Sequence, residues 1–504
     1  MSREPLLGVL ARCVCNQRGE PMDFDVDQML SWVKQQTELG PRRAGSPAGR
    51  KNEDLLVGEL KSFGIESVRT EPIDVTHCEA ARWRFDVESG GSRQSLDCFP
   101  IPFAAYTPAE GIDARLVYAD RHKLWHTEDW NGAIVVTDIG FPELEVKMLL
   151  RLSSGHYDPD SSLRNIKHPA TWVRLGWHLY HLAARRGAVG FVGILEDQPG
   201  GSCEMYAPYG FREPDILNKP VPGLWVGRNQ GAALRRLAKS GHARGSLVLT
   251  GAREKAVTHN IVAELPGKSS ETMVLSCHHD SPFVSPVEDA SGVAVVLALA
   301  KHFAEKRDLE RRLVVLLSAG HFYGSIGTRT FIKEHPNVVA DTVVEITIEH
   351  IAKEAVEDSE GNLVPSGKPE AAGIFVPFNR AVTDAVLESM KAQNVSRVVA
   401  LPAEGPLGDY PPTDGGDWWE AGVPVINYIS NPVYLLTNDD ALDWVDVPRM
   451  PKVATAFADI IRRLDHMPRA AIAEVESRRR VWVMKALKHI NRAKTTTFGL
   501  KPVY

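Results

Sequence analysis

Histidine and carboxylate side chains are concentrated directly after three apolar segments of the sequence. The segments are residues 273–277, followed by His278, His279 and Asp280; residues 313–317, followed after three residues by His321; and residues 343–348, followed by Glu349 and His350. Two further carboxylates, Glu288 and Asp289, lie between the first segment and the next predicted helix. Because one imidazole and two carboxylates can bind a divalent ion, these residues are candidates for a metal site.

The apolar segments are expected to be strands of a mainly parallel sheet. They are mainly apolar, they alternate with predicted helices over 292–303 and 451–463, and a further mainly apolar run covers 423–428. Continuous apolar strands are typical of a parallel sheet that helices cover on both faces. In such a sheet ligands bind at the carboxyl ends of the strands, so the polar residues are predicted to meet at one edge. The predicted fold class is therefore α/β.

A β-rich insertion is predicted to interrupt this fold. Short β runs separated by Gly- and Pro-rich loops occupy the region between two helices near the N-terminus and the strands described above. The predicted domains are an N-terminal helical part of the main domain at 1–80, the insert at 81–250, the catalytic domain at 251–465 and a basic helical tail at 466–504.

Composition excludes several functional classes. The chain has 504 residues, with 58 Lys and Arg against 64 Asp and Glu, and this net charge of −6 argues against a nucleic-acid partner. No apolar run approaches the roughly 20 residues that span a bilayer, so no membrane partner is expected. A cytoplasmic location is predicted because the N-terminus lacks a signal-peptide pattern and the six cysteines are dispersed. A homo-oligomer is compatible with these features.

Several motifs, taken in order, resemble those of the co-catalytic zinc aminopeptidase and glutamate carboxypeptidase family. The similar stretches are Arg43-Ala44-Gly45-Ser46, residues 259–267, His278-x-Asp280-Ser281, Glu288-Asp289-Ala290-Ser291-Gly292, residues 324–328, Asp414 and residues 421–424. The resemblance covers about 25–465 and implies a zinc-peptidase-like sheet sandwiched by helices. Residues 186–190 and 221–226 resemble parts of a protease-associated domain, which implies that identity for the insert.

The resemblance also implies a ligand set, from which this sequence departs. The positions of the family's first metal carry His278, Glu288 and Glu349, which are the same ligand types with both aspartates lengthened to Glu. The second metal needs a Glu-Glu pair and a late His. The pair is replaced around His321, and the late His falls near Leu436, which cannot bind a metal. We therefore predict one divalent ion, with zinc first and manganese or iron as alternatives.

The predicted reaction is hydrolysis of an amide or related C–N bond in a small molecule or short peptide. The metal lowers the pKa of a bound water, and His321, at the position of the family's general base, shuttles the proton. Asp280 is predicted to orient His278 through its other ring nitrogen. Two other functions stay open: a catalytically inactive binding protein with this fold, and a di-metal aminopeptidase.

Further candidates adjoin these residues. Asp289 replaces Glu288 as a ligand if the loop shifts by one residue, and His279 and His350 are supporting groups or alternative ligands. A turn-rich stretch that the family uses as a substrate-pocket loop contains the candidate substrate-binding residues Tyr410, Asp414, Asp417 and Trp418. The alternative for this stretch is a connection with packing tryptophans.

Overall fold

The computed structural model describes residues 24–123, 125–171, 175–207, 217–405, 407–475 and 481–486. The strands are β1 Ser67–Ser89, β2 Ser92–Leu96, β3 Cys98–Pro100, β4 Ile112–Tyr118, β5 Ile134–Ile139, β6 Glu143–Glu145, β7 Gly155–Tyr157, β8 Lys167–Pro169, β9 Gly190–Leu195, β10 Gly223–Gly227, β11 Arg244–Leu265, β12 Thr272–His278, β13 Arg312–Ser318, β14 Thr342–Ile348, β15 Lys353–Glu357, β16 Leu363–Pro369, β17 Ala372–Val376, β18 Val398–Pro402 and β19 Val425–Ser430. The helices are α1 Val26–Thr37, α2 Pro47–Ser62, α3 Val146–Leu152, α4 His178–Arg185, α5 Arg228–Lys239, α6 Gly292–Lys306, α7 Ile326–Glu334, α8 Pro336–Asp341, α9 Arg380–Ala392, α10 Gly415–Glu420, α11 Met450–Asp465 and α12 Arg469–Ile472.

Four parallel strands form the centre of the sheet, in the order β13, β12, β14, β19. Strands β12, β13 and β14 are buried along almost their whole length, as their apolar sequences require. Helix α6 is buried nearly all round and packs beside α11 in the same core. The predicted α/β class is confirmed, although antiparallel pairs such as β11 with β13 and β17 with β19 make the whole sheet mixed.

Two long strands connect the central sheet to a second core. Strands β1 and β11 pair antiparallel over most of their 23 and 22 residues, and the pairing continues from the central sheet past a register shift near Ala80. Beyond that point β11 pairs with β4, from which β5, β9 and β10 continue as parallel neighbours. This part has its own apolar core, which includes Phe85, Ile134 and Trp225.

One segment of the inserted region returns to the far edge of the central sheet. Strand β7 pairs with β18, and α3 and the turn near Leu163 share a small apolar core with Phe375 and Leu401. Residues 143–169 are thereby fixed beside the carboxyl ends of the central strands. This long-range return is the feature of the insert that bears on the site.

The elements agree closely with those that the sequence predicts, and differ mainly at their ends. The helix predicted over 292–303 extends to Lys306, and the one predicted over 451–463 is Met450–Asp465. The basic residues Arg478–Arg480 of the predicted tail lie outside the described residues. None of the helices in the described ranges is both long enough and apolar enough to span a membrane.

Candidate metal centre

Strand order brings the predicted polar residues to one edge of the sheet. Strand β12 ends at His278, which is in register with Ser318 at the end of β13, and β14 ends one residue before Glu349. His321 lies in a short turn after β13, and Glu288 and Asp289 lie in the irregular turn Pro286–Ser291 before α6. The carboxyl ends of adjacent parallel strands therefore meet, as expected for a ligand site in an open α/β sheet.

Two histidines direct their Nε2 atoms toward this edge, because a backbone carbonyl holds the Nδ1 atom of each. The Nδ1 atom of His278 lies 3.0 Å from the carbonyl oxygen of Asp280, and Nδ1 of His350 lies 2.7 Å from that of Ser430. A carbonyl only accepts hydrogen bonds, so in the neutral rings Nδ1 carries the proton and Nε2 carries a lone pair. Such second-sphere contacts are typical of metal-binding histidines.

The Nε2 atoms of these histidines face the carboxylate of Glu288. Nε2 of His278 lies 3.2 Å from Oε1 of Glu288, and Nε2 of His350 lies 2.7 Å from Oε2. His350 is one of the alternative ligands predicted from the sequence, and the structure brings it into the centre of the cluster. All three side chains are almost fully buried.

The structure places the predicted ligands in two overlapping groups. The first contains His278, Asp289, Glu349 and His350, and the second contains His278, Glu288 and His321. Within each group, one donor atom per residue lies within 4.8 Å of all the others. The three predicted ligands His278, Glu288 and Glu349 are thus adjacent but divided between the groups, with His278 common to both.

The donor atoms fit a divalent cation. Nε2 of His278, Nε2 of His350 and Oε2 of Glu288 are buried, and the two imidazole nitrogens contact the Glu288 carboxylate. Imidazole nitrogens and carboxylate oxygens suit zinc, manganese or iron. With the imidazole rings neutral, these nitrogens and the carboxylate oxygens present lone pairs to the same small volume, where a shared cation would bind them together.

Electrostatics also favour positive charge here. Burial raises the pKa of Glu349 to about 8, and burial together with Glu288 raises that of Asp289 to about 6. Burial alone would lower the pKa of His350, but the adjacent Glu288 raises it to about 10. Three buried carboxylates in so small a volume repel one another and stabilise any cation between them.

Asp414 holds His321 in place. Nδ1 of His321 lies 2.8 Å from Oδ1 of Asp414, whose other oxygen accepts a hydrogen bond from Ser318. Burial would raise the pKa of Asp414, but His321 lowers it below its usual range. The ring of His321 stacks on that of His278, with centroids 4.0 Å apart. Asp414 was predicted to bind substrate; in the structure it orients the proposed base.

Asp280 acts mainly through its backbone. Its carbonyl oxygen contacts Nδ1 of His278 at 3.0 Å, whereas its carboxylate oxygen lies 3.7 Å from the same atom. The carboxylate instead accepts a hydrogen bond of 3.0 Å from the backbone nitrogen of His321. Asp280 thus contacts both His278 and His321. It orients His278 through its backbone carbonyl oxygen, whereas the sequence suggested its carboxylate.

Two buried residues that sequence reasoning missed shape the turn that carries Glu288. The two carboxylate oxygens of Asp440 accept hydrogen bonds from the backbone nitrogens of Val287 and Glu288, at 3.1 and 3.0 Å. Arg42, which is 1% exposed, donates to the carbonyls of Val284 and Ser285. The Arg42-Arg43 pair was a usable signal for an arginine near the site. The sequence analysis assigned the family motif to Arg43, but in the structure Arg43 pairs with Glu79 and Arg42 contacts the turn.

The remaining predicted residues divide between the cavity and the core. Tyr410 lines a cavity next to the cluster, as does Leu436, the residue at the position of the family's late His. Trp418 is fully buried and packs near Phe331, and Asp417 is buried on the same short helix, α10. His279 points away from the cluster, with Nε2 2.9 Å from the carbonyl oxygen of His259. For Trp418 the structure favours the packing alternative.

A comparison with known protein families finds a match for the part of the chain that contains the cluster. Residues 260–460 match the model of peptidase family M28. This segment is therefore similar to peptidase M28 domains. It contains the strands, the turn and the polar residues of the cluster, and the resemblance inferred from the motifs is confirmed at the level of the family domain. A search of curated proteins found no match.

Solved structures with the same fold cover nearly the entire chain. A peptidase M28 precursor from Shewanella amazonensis SB2B has a TM-score of 0.65 and 21% identity, covering 87% of this chain and 93% of its own. A zinc aminopeptidase from Bacillus subtilis has a TM-score of 0.63 and 14% identity, covering 91% and 100%. An aminopeptidase from Aneurinibacillus sp. strain AM-1 has a TM-score of 0.60 and 18% identity, covering 90% and 96%. At these identities the likeness establishes the fold.

The match of residues 260–460 to a peptidase family supports metal-dependent peptide hydrolysis. The number of ions and the residues that bind them are finer questions. They concern positions 288, 321, 349 and 436, where the sequence departs from the motifs of the family that it resembles.

Proposed function

We propose that this protein is a hydrolase that cleaves an amide or related C–N bond in a small molecule or short peptide, using one divalent ion. The observation that carries the proposal is the convergence of two buried imidazoles, His278 and His350, on buried carboxylates. Backbone carbonyls hold their Nδ1 atoms, and their Nε2 atoms face the carboxylate of Glu288 at 3.2 and 2.7 Å. A binding protein that had lost its activity would have no need to keep these atoms buried and aligned.

The ligands that we propose are His278, Glu349 and His350, with a carboxylate from the 288–289 turn. Asp289 supplies that carboxylate, because it lies with His278, Glu349 and His350 in one group whose donor atoms are all within 4.8 Å of one another, whereas Glu288 groups with His278 and His321. Zinc is the ion that we expect first. The support for a single ion is that His278 belongs to both candidate groups, so its one Nε2 atom cannot complete two sites.

His321 is the group that we propose for proton transfer. A divalent ion in this position supplies positive charge that polarises a carbonyl group and makes a water molecule more acidic. Asp414 fixes Nδ1 of His321, so Nε2 is the ring nitrogen that can accept a proton from the attacking water. The same nitrogen can then donate that proton to the leaving amine, while Asp414 stabilises the imidazolium form.

The test combines metal content with turnover. Elemental analysis of the purified full chain should give one ion per chain, and a panel of amino acid and acyl 4-nitroanilides should show hydrolysis that a chelator abolishes. His350→Gln should lose the ion. His279→Gln is the matched control, since His279 is an adjacent histidine that points away from the cluster.

The results separate the three functions. One ion that His350→Gln removes and His279→Gln retains supports the proposal. Two ions per chain would favour a di-metal aminopeptidase and overturn our ligand set. A protein that binds no ion when zinc, manganese or iron is supplied, and that cleaves no substrate, would be a binding protein with this fold.

A further inference from the structure

A cavity of about 210 Å³ opens directly onto the polar cluster. Glu288, His321, Glu349 and His350 lie at one end. Most of the remaining wall is apolar, including Leu144, Val146, Leu149, Phe375, Val399, Leu401, Leu407 and Ile429. A site with one polar end and apolar walls is the usual form of a pocket for a small organic ligand.

Two distant parts of the chain build the apolar end. Leu144, Val146 and Leu149 come from the inserted region, whereas Phe375 and Leu401 come from β17 and β18 of the main sheet. The two parts are joined by hydrogen bonds between β7 and β18. Buried Val146 and Leu163 share one apolar core with Phe375, Val399 and Leu401. The insert wall is therefore fixed in place, and the pocket is already formed in this structure.

Two ionisable residues that line the pocket outside the cluster, Glu370 and His168, carry little charge at neutral pH. Burial raises the pKa of Glu370 to about 8, so its carboxyl group is mainly protonated at pH 7. Burial lowers the pKa of His168, so its imidazole is neutral. A charged substituent on a ligand would thus lose its hydration and find no opposite charge along this wall. An apolar substituent would lose little hydration free energy.

We propose that this pocket binds a single bulky apolar group, aliphatic or aromatic, on the substrate, and that residues 143–169 of the insert determine its size. The proposal rests on the hydrolase function proposed above, and it adds the class of substrate. The cavity exceeds the roughly 150 Å³ of an engineered apolar cavity that holds benzene. A phenyl ring or a branched chain of similar size therefore fits, with its amide at the polar end.

Binding of simple amides tests the pocket without relying on turnover. The probes are butanamide, pentanamide, hexanamide and 3-phenylpropanamide, with 6-aminohexanamide as the charged analogue of hexanamide. Dissociation constants are measured by ligand-observed NMR on the full chain. Each buried methylene should tighten binding about fourfold, giving roughly 16-fold from butanamide to hexanamide. The charged analogue should bind more weakly than hexanamide by a similar factor or more.

Two neighbouring substitutions assign the effect to the insert. Leu149 lines the cavity, whereas Met148, the preceding residue of α3, is 55% exposed. Leu149→Trp should fill the pocket, so that the affinities for hexanamide and 3-phenylpropanamide fall to the butanamide level. Met148→Trp adds the same side chain to the same helix and should leave all the affinities unchanged. Equal thermal midpoints for the two variants would show that both are folded.

The outcomes distinguish the pocket from the reaction. If affinity increases with chain length and Leu149→Trp removes the increase, the pocket is established, even if no amide is ever hydrolysed. Hydrolysis without any dependence on chain length would overturn the pocket and leave the proposed function standing. An unchanged length dependence in Leu149→Trp would show that the insert does not determine the size of the bound group.

Discussion

Replacing Glu370 by Gln should stabilise the protein, and increasingly so as the pH rises. Glu370 is 3% exposed, and burial raises its pKa from 4.5 to about 8. The folded chain therefore binds a proton that the unfolded chain releases above pH 4.5, so Glu370 costs stability as the pH rises from 4.5 to 8. Gln has the same shape, and its oxygen can still accept the 2.8 Å hydrogen bond from the backbone nitrogen of Ala371.

The magnitude follows from the two pKa values. One pKa unit corresponds to about 1.4 kcal/mol, so the penalty at pH 7, 2.5 units above 4.5, is about 3 kcal/mol. At pH 5.5 it is only about 1 kcal/mol by the same arithmetic. The stability gained by Glu370→Gln should therefore increase by about 2 kcal/mol between pH 5.5 and pH 7, and should level off above pH 8.

Urea unfolding at pH 5.5, 7 and 9 measures this difference. The control is Glu360→Gln, which removes the same charge from an exposed residue. The midpoint shift of Glu370→Gln relative to wild type should grow with pH, while that of Glu360→Gln stays near zero throughout. A shift that is the same at all three pH values, or that matches the control, would refute the argument that Glu370 is held protonated in the fold.

Three further predictions concern the centre itself. His321→Ala should reduce turnover at least 100-fold with metal content unchanged, as elemental analysis would show; normal turnover would exclude His321 as the base. Arg42→Met should lower stability by about 2 kcal/mol or more in urea unfolding, because buried carbonyls lose their donor, whereas Arg43→Met should change it much less. Asp440→Ala should weaken metal affinity about 10- to 100-fold in chelator competition; full affinity would show that the 287–288 turn holds its shape without Asp440.

The sequence identified the main elements because each depends on local pattern. The apolar runs before His278 and Glu349 are buried strands, and the helix after Gly292 is buried nearly all round, as its composition requires. The rule that ligands lie at the carboxyl ends of parallel strands then placed the candidate residues on one edge without any coordinates. Residue type and strand order were sufficient for these steps.

Contacts within the site could not be read in the same way. His350 was a minor candidate because alternation along a strand directs the neighbour of Glu349 to the opposite face. Its backbone departs from the extended conformation, with φ of +58°, and its imidazole joins the cluster. Asp414 was assigned to substrate, yet it contacts His321, 93 residues away in sequence. Neither contact has a local signal.

By itself the sequence determined which chemistry is available. It places imidazoles and carboxylates at the ends of apolar strands, within a series of motifs whose order resembles that of a known family. Only the tertiary structure decided which donors share one centre, that Asp440 and Arg42 hold the turn beside them, and that residues 143–169 close the neighbouring pocket. The physical reason is that secondary structure follows from periodicity along the chain, whereas donor distances and cavity walls depend on packing between segments that are distant in sequence.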